Sequence, residues 1–169
     1  MRIALAFAAA CLCSCGYHVA GHTNLMPASI HTICVPAFGN ATTRYKLTDR
    51  LAEAIAKEFI SRTHYRVVSD PNTADAVLNG TVINYISYAT VADPVTGRAT
   101  AVDLRVYLRV SLTERATGKV LFTRPSMEVR ERYEVSVDPR TYFDESDSAL
   151  DRASRQVAAT VVTAILTNF

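Results

Sequence analysis

The sequence lacks the groupings of side chains on which most enzyme active sites depend. It has four histidines and six glycines among 169 residues, and it has no glycine-rich phosphate loop and no nucleophile elbow. His18 and His22 have a spacing typical of metal ligands, but they lie in a glycine-containing stretch without predicted regular structure. We therefore expect no catalytic residues, no metal and no cofactor, and we predict that the protein is not an enzyme.

The sequence also has no large excess of positive or negative charge. The chain carries 18 basic and 16 acidic residues, which gives a formal net charge of +2. A protein that binds nucleic acid usually has a basic excess, and one that binds anionic lipid through charge alone usually has a polybasic tail. Neither is present, so no nucleic acid is expected as a partner.

The apolar run at the N-terminus is too short to cross a membrane, which takes about 20 residues in a helix. Arg2 precedes the run from Ile3 to Leu12, and this order is typical of a secretory signal. The run leads into Leu12-Cys13-Ser14-Cys15, which resembles a bacterial lipobox. In a lipobox the cysteine becomes the first mature residue and carries acyl chains such as palmitate, each buried CH2 contributing about 0.8 kcal/mol to membrane attachment. The alternative is a cysteine that happens to lie near an ordinary cleavage site.

On this reading the chain has three parts. Residues 1–14 are a lipoprotein signal peptide, residues 15–29 a lipidated tether, and residues 30–169 a single domain. Cys34 is then the only thiol left in the domain, so an internal disulfide cannot form. Because Cys34 lies in an apolar, strand-like run, we expect it to be buried and unreactive.

The hydrophobic periodicity predicts five strands and two helices. The strands cover residues 30–37, 65–68, 75–92, 102–113 and 119–133, the last broken at Pro125, and Gly39-Asn40 is predicted as a loop. A helix is predicted over 43–62, with an apolar face composed of Tyr45, Leu47, Leu51, Ile55, Phe59 and Ile60. A second helix is predicted over 144–167, where Asp144, Glu145 and Asp147 favour the positive end of the helix dipole.

The fold class follows from the strand at 102–113, which alternates strictly between apolar and polar residues. Such alternation is typical of an antiparallel sheet with one face buried and the other wet. Two amphipathic helices are available to cover that one face. We therefore predict an α+β fold, a two-layer α/β sandwich with two helices packed on one face of a mostly antiparallel sheet of four to five strands.

The wet face of this sheet is rich in charge. Asp103, Arg105 and Arg109 lie on one predicted strand, and its neighbour carries Glu128, Arg130, Arg132 and Glu134. A ladder of mixed charge on two strands is either an ordinary solvated surface or a docking surface for a partner. Arginine suits carboxylate and phosphate contacts, so Arg105, Arg109, Arg130 and Arg132 are the candidate partner-facing residues.

Several runs of sequence, taken in order, resemble one known family. They are CGYH at 15–18, VPAFGNAT at 35–42, YRVV at 65–68, ADAVLNG at 74–80, GRAT at 97–100 and RATGKVLF at 115–122. Their order after a lipobox resembles the LptE-type lipopolysaccharide-assembly lipoproteins. The resemblance covers nearly all of the mature chain.

The resemblance implies an outer-membrane lipoprotein without enzymatic activity, anchored through Cys15. Such a protein inserts as a plug into a large β-barrel partner of the LptD type, assists its assembly and helps lipopolysaccharide to reach the cell surface. The resemblance also implies basic residues that contact lipopolysaccharide phosphates near one end of the sandwich. Arg98 and Arg140 fit that role by position, and the alternative for each is an ordinary exposed loop arginine.

A second family remains possible at this stage. The runs at 35–40 and 74–80 also resemble envelope lipoproteins of the curli-secretion and penicillin-binding-protein-activator type. The long three-strand meander and the CGYH start favour the lipopolysaccharide alternative.

Overall fold

The computed structural model describes residues 26–43, 45–95, 97, 99–134 and 142–168. In chain order the elements are β1 (Thr32–Cys34), β2 (Gly39–Asn40), α1 (Tyr45–Arg62), β3 (Arg66–Val68), β4 (Ala76–Ala92), β5 (Ala99–Glu114), β6 (Val120–Glu134) and α2 (Tyr142–Leu166). The predicted α+β class is confirmed, with two helices packed against a single open sheet.

The sheet has the strand order β3-β1-β4-β5-β6, and β2 lies beside β4 as a sixth strand. The two long ladders, β4 with β5 and β5 with β6, are antiparallel, whereas the short pairings that involve β1, β2 and β3 are parallel. The predicted loop at Gly39-Asn40 is therefore wrong. These two residues pair with Thr81 and Val82, and a strand of two residues is too short to leave a periodic pattern.

Both helices lie on the same side of the sheet. One core contains Leu51 and Phe59 of α1, Val157 of α2, and Leu78 and Leu108 of the sheet, each fully buried. The helices also contact each other directly: Arg50 pairs with Asp151, and Nη1 of Arg62 donates to Oγ1 of Thr163 at 2.8 Å. Because both residue numbers advance by the same amount between the two contacts, α1 and α2 run parallel.

Two residues of the predicted apolar face of α1 are exposed. The buried residues of this face are Leu47, Leu51, Ile55 and Phe59. Tyr45 is 66% exposed and Ile60 63% exposed, so their assignment to the face is wrong. Successive residues of a helix differ by about 100° in direction, so Ile60 points well away from its buried neighbour Phe59.

A bulge, not a break, accommodates Pro125 in β6. Val110 pairs with Arg124 and Leu108 with Met127, so β6 has one more residue than β5 between these two pairs. Proline cannot donate to a ladder and is tolerated at bulges and on edge strands. The strand therefore runs unbroken from Val120 to Glu134, which corrects the predicted interruption.

The ring of Phe38 occupies the space above Gly80. A Cβ atom added at Gly80 would lie 2.0 Å from Cε1 of Phe38, a distance at which one of the two groups must move. Phe38 is only 6% exposed. Glycine is therefore required at position 80 by the close approach of an aromatic ring to the strand.

Asp75 joins the beginning of β4 to the beginning of β1. Its Oδ2 accepts hydrogen bonds from the backbone N of His31 at 2.9 Å, and from the backbone N and Oγ1 of Thr32 at 2.9 and 2.8 Å. The hydrogen bond from His31 is the largest cause of a pKa of Asp75 below its ordinary value, with Thr32 adding to it. Met26, the first described residue, is also buried in the core.

Candidate partner-binding face

The surface of the sheet that is turned away from both helices is called the outer face. Directly opposite residues of an antiparallel pair share a face, so the register of β4, β5 and β6 defines three rows across it. The rows are Tyr88–Asp103–Arg132, Ile86–Arg105–Arg130 and Asn84–Tyr107–Glu128, and Arg109 follows on β5. No helix or strand of the described residues covers this face.

Glu128 is the centre of the ion pairs on the outer face. Arg130 reaches it with two donors, Nε to Oε1 at 2.8 Å and Nη2 to Oε2 at 3.2 Å. Nε of Arg105 approaches Oε1 from the neighbouring strand at 3.8 Å. The hydrogen bonds from Arg130 lower the pKa of Glu128 below its usual value, with smaller contributions from Tyr107 and Arg105. The carboxylate is therefore ionised at neutral pH and orients two arginines.

Arg105 is also held from the other side, by β4. Its Nη2 donates to the phenol oxygen of Tyr88 at 2.7 Å, and its guanidinium carbon lies 5.4 Å from the centre of the Tyr88 ring. This is the geometry of a cation–π contact. The hydrogen bond with Tyr88 is the largest cause of a raised pKa of Arg105. The side chain is thus fixed by contacts on two strands.

Arg132 and Arg109 are held more loosely. Nε of Arg132 lies 3.9 Å from Oδ1 of Asp103, a buried oxygen that makes no hydrogen bond within the described structure. Arg109 is exposed opposite the Pro125 bulge. Arg130 and Arg132 are 66% and 62% exposed, so their guanidinium groups remain accessible to another molecule.

The outer face therefore combines charge with partial preorganisation. It presents four arginines and two carboxylates, together with the apolar surface of Ile86 and Tyr88, which are 40% and 38% exposed. Arginine forms paired hydrogen bonds with carboxylates and phosphates and stacks on aromatic rings. Such a surface suits a polar, structured partner, and no arrangement on it resembles a nucleophile with a general base.

A family model described as LptE, Lipopolysaccharide-assembly, matches residues 30–165. The chain belongs to the LptE family. The match covers the whole sandwich, from β1 to the last turn of α2, and confirms the resemblance seen in the sequence. It therefore favours the lipopolysaccharide alternative over the curli-secretion and penicillin-binding-protein-activator types.

Solved structures share the fold at low sequence identity. The rare lipoprotein B from Shewanella oneidensis is 14% identical with a TM-score of 0.50, over 80% of this chain and 95% of that one. A protein from Caulobacter crescentus described as a lipoprotein is 16% identical with a TM-score of 0.51, over 82% and 88%. The PelC dodecamer from Paraburkholderia phytofirmans is 16% identical with a TM-score of 0.53, over 82% and 90%. Among curated proteins, none matches this sequence.

The family runs in the sequence now have physical explanations. VPAFGNAT at 35–42 supplies β2 and the ring of Phe38, and ADAVLNG at 74–80 supplies Asp75 and the glycine beneath that ring. This LptE-family chain thus uses both runs to fix the start of β4 against its parallel neighbours.

The predicted site residues divide into two groups. Arg105, Arg109, Arg130 and Arg132 lie together on the outer face, as the strand alternation predicts. Cys15, Arg98 and Arg140 fall outside the described residues. Ile86 and Tyr88 also belong to the outer face, although the sequence pattern predicts only that they lie in a strand. No group of three or more metal-ligand side chains, and no helix apolar and long enough to span a membrane, occurs among the described residues.

Proposed function

We propose that this chain is a lipoprotein of the outer-membrane lipopolysaccharide-assembly complex, and that it acts as a plug in a β-barrel of the LptD type. Family membership supports the assembly role. The observation that carries the plug is the outer face, an open polar side on a sheet whose other side is sealed by two helices. The lumen of a large barrel is polar, so a plug needs a polar surface to meet it.

The proposal assigns a role to each group of candidate residues. Cys15 holds the chain in the membrane through its acyl chains, after removal of residues 1–14. Arg105, Arg109, Arg130 and Arg132 face the polar lumen side of the barrel wall, where side-chain carboxylates can accept hydrogen bonds from arginine donors. The protein binds and positions, without catalysing a reaction and without a cofactor.

Arg98 and Arg140 are proposed as contacts to lipopolysaccharide phosphates. Position in the sequence supports them: Arg98 lies between β4 and β5, and Arg140 lies between β6 and α2. Removing both arginines should weaken lipopolysaccharide binding while leaving barrel association unchanged. A loss of barrel association instead would assign these residues to the protein interface.

The plug is tested by co-purification from native membranes. We compare an outer-face variant, Glu128→Ala with Arg130→Ala and Arg132→Ala, with a control on the exposed side of α2, Arg152→Ala with Arg155→Ala. The outer-face variant should recover about tenfold less barrel, because several interfacial ion pairs are lost together, and the control should recover the normal amount. Equal recovery by both variants contradicts the proposal. Recovery of a peptidoglycan synthase, or of a ring of this chain, points to the alternative lipoprotein type.

The anchor and the cellular role have separate tests. Labelled palmitate should be incorporated into the wild-type protein, and Cys15→Ser should abolish the incorporation. A mature mass without acyl chains would rule out the anchor. Depletion in the native host should reduce surface lipopolysaccharide and leave the barrel misassembled, whereas normal surface lipid after depletion would count against the assignment.

A further inference from the structure

The two outermost strands of the sheet, β3 and β6, are both protected edges. An edge strand offers unpaired N–H and C=O groups, and proteins usually block it with charge, proline, a bulge or short length. At one side β3 is only three residues long and begins with Arg66. At the other side β6 carries Pro125, a bulge and six charged residues: Arg124, Glu128, Arg130, Glu131, Arg132 and Glu134. Both of these edges are protected against a further strand.

A third edge lies in the second half of β4. β1 pairs with β4 at Ala76 and Val77, and β2 pairs with it at Thr81 and Val82. The ladder ends with the backbone N of Ala41, which donates to the carbonyl of Val82 at 2.9 Å. Beyond that point no described strand pairs with the free side of β4. We call the segment from Ile86 to Ala92 the open edge.

The open edge has neither the charge nor the proline that usually protects an edge strand. All 17 residues of β4 are uncharged, and there is no proline among them. The register with β5 is regular from Asn84 to Ala89, and it shifts between Ala89 and Val91 and again between Val91 and Ala92, so the regular part of the open edge is 86–89. The segment also exposes apolar surface, since Ile86 is 40%, Tyr88 38% and Val91 47% exposed. β-Branched and aromatic residues of this kind favour strand formation.

We propose that the open edge receives an extended, uncharged segment of the barrel partner, which adds to β4 as a further strand. This inference rests on the proposed function for the identity of the partner. Because β4 itself carries no charged residue, an uncharged strand can pair with the open edge through backbone hydrogen bonds and through apolar contacts with Ile86 and Tyr88. The outer face continues directly into this edge through the same two side chains, so one partner can contact both.

The strand donor is a segment outside the barrel wall or a wall strand before closure. In a closed barrel every wall strand already has two neighbours and offers no free edge. Strand addition supplies affinity through backbone hydrogen bonds, and pockets for alternate side chains supply specificity. The open edge therefore gives the plug a way to hold a segment that is still unpaired during assembly.

Amide hydrogen exchange on the full lipoprotein, alone and in its purified complex with the barrel, tests this directly. Every second amide of a strand points to the free side, and these are the amides that an added strand bonds. The rapidly exchanging amides of the open edge should therefore slow by at least about tenfold in the complex. Amides on the free side of β6 should not slow. If the complex forms and the open edge exchanges as before, the inference is overturned although the proposed function stands.

A matched pair of variants adds a second readout. Ala89→Lys places a charge on the open edge, and Thr123→Lys places the same charge on the protected edge formed by β6, both at exposed positions. Ala89→Lys should lower barrel recovery about fivefold or more, with Thr123→Lys near wild type and both melting curves unchanged. If both variants recover the same amount of barrel, the inference is overturned. If no barrel complex forms at all, both the inference and the proposed function are overturned. Slowed amides at the open edge in a concentration-dependent dimer of this chain would identify a second copy as the occupant and also overturn it.

Discussion

Replacing Gly80 by alanine should destabilise the domain through a single contact. The new Cβ would lie 2.0, 2.4 and 2.5 Å from Cε1, Cζ and Cδ1 of Phe38. Carbon atoms pack favourably at about 3.5–4.0 Å, so the ring must retreat by about 1.5 Å or the strand must move. Overpacking of this kind costs about 1–3 kcal/mol. A loss of about 2 kcal/mol lowers the melting temperature of a domain of this size by about 4–8 °C.

A double-mutant cycle identifies the cause. Phe38→Ala alone should cost about 3–5 kcal/mol, because it removes a buried ring from the core. In that background Gly80→Ala should cost nothing or stabilise slightly, since its methyl group enters the space that the ring leaves. The cycle needs the free energy of unfolding of the wild type, of each single variant and of the double variant. Urea denaturation followed by circular dichroism supplies these four values.

Gly118 provides a control with a different mechanism. It has a φ of +70°, and a Cβ there would meet no atom within 4 Å. Gly118→Ala should therefore cost about 1–2 kcal/mol through backbone strain alone, whether or not Phe38 is present. If Gly80→Ala also costs the same in both backgrounds, the ring contact is not the reason for glycine at position 80.

Three further predictions follow from the polar contacts and the thiol. Glu128→Gln should leave the melting temperature nearly unchanged but lower barrel recovery, because Arg130 loses its ionised partner; unchanged recovery would show that the orientation of Arg130 is unimportant. Asp75→Ala should cost about 1–3 kcal/mol in unfolding experiments at pH 7, because buried Thr32 loses its acceptor. The pKa of Asp75 is lower in the folded state than in the unfolded state, so the stabilisation by its carboxylate is present above the unfolded pKa of about 4 and is lost as pH falls through the folded pKa. The difference in free energy of unfolding between variant and wild type should therefore shrink in acid. A difference that stays constant with pH refutes the ionic origin. Cys34 should resist alkylation in the native protein and react in denaturant, because burial is the largest cause of its raised pKa; rapid native labelling would contradict its burial.

Much of the fold was accessible from the sequence because its signals are local and long. The alternation along β5 continues for more than ten residues, so it predicts which face is buried and which is wet, and the structure confirms both faces. The arginines of the outer face follow from the same pattern. In contrast, β2 is held by tertiary pairing of two residues, and no period can be read from two positions.

The second half of β4 shows why the remaining site residues were missed. Val82 pairs with Leu108 on the buried face, and Asn84 pairs with Tyr107 on the outer face, so Ile83 is an extra residue. This bulge reverses the alternation, and it directs Ile86 and Tyr88 outward, where the uninterrupted pattern would direct them inward. A uniform run of β-forming residues contains no mark of such a reversal.

The length of β4 has a consequence for where the two ends of the domain can act. Oγ of Ser29 donates to Oε1 of Glu114 at 3.1 Å, so the chain leaves toward its N-terminus at the end of the sheet opposite Ala92. Seventeen residues of extended chain span about 55 Å, well beyond the roughly 30 Å of hydrocarbon in a bilayer. Under the proposed function, with the N-terminal end anchored at the inner leaflet and the domain enclosed by a barrel, the Ala92 end therefore reaches the depth of the opposite leaflet without any change of shape.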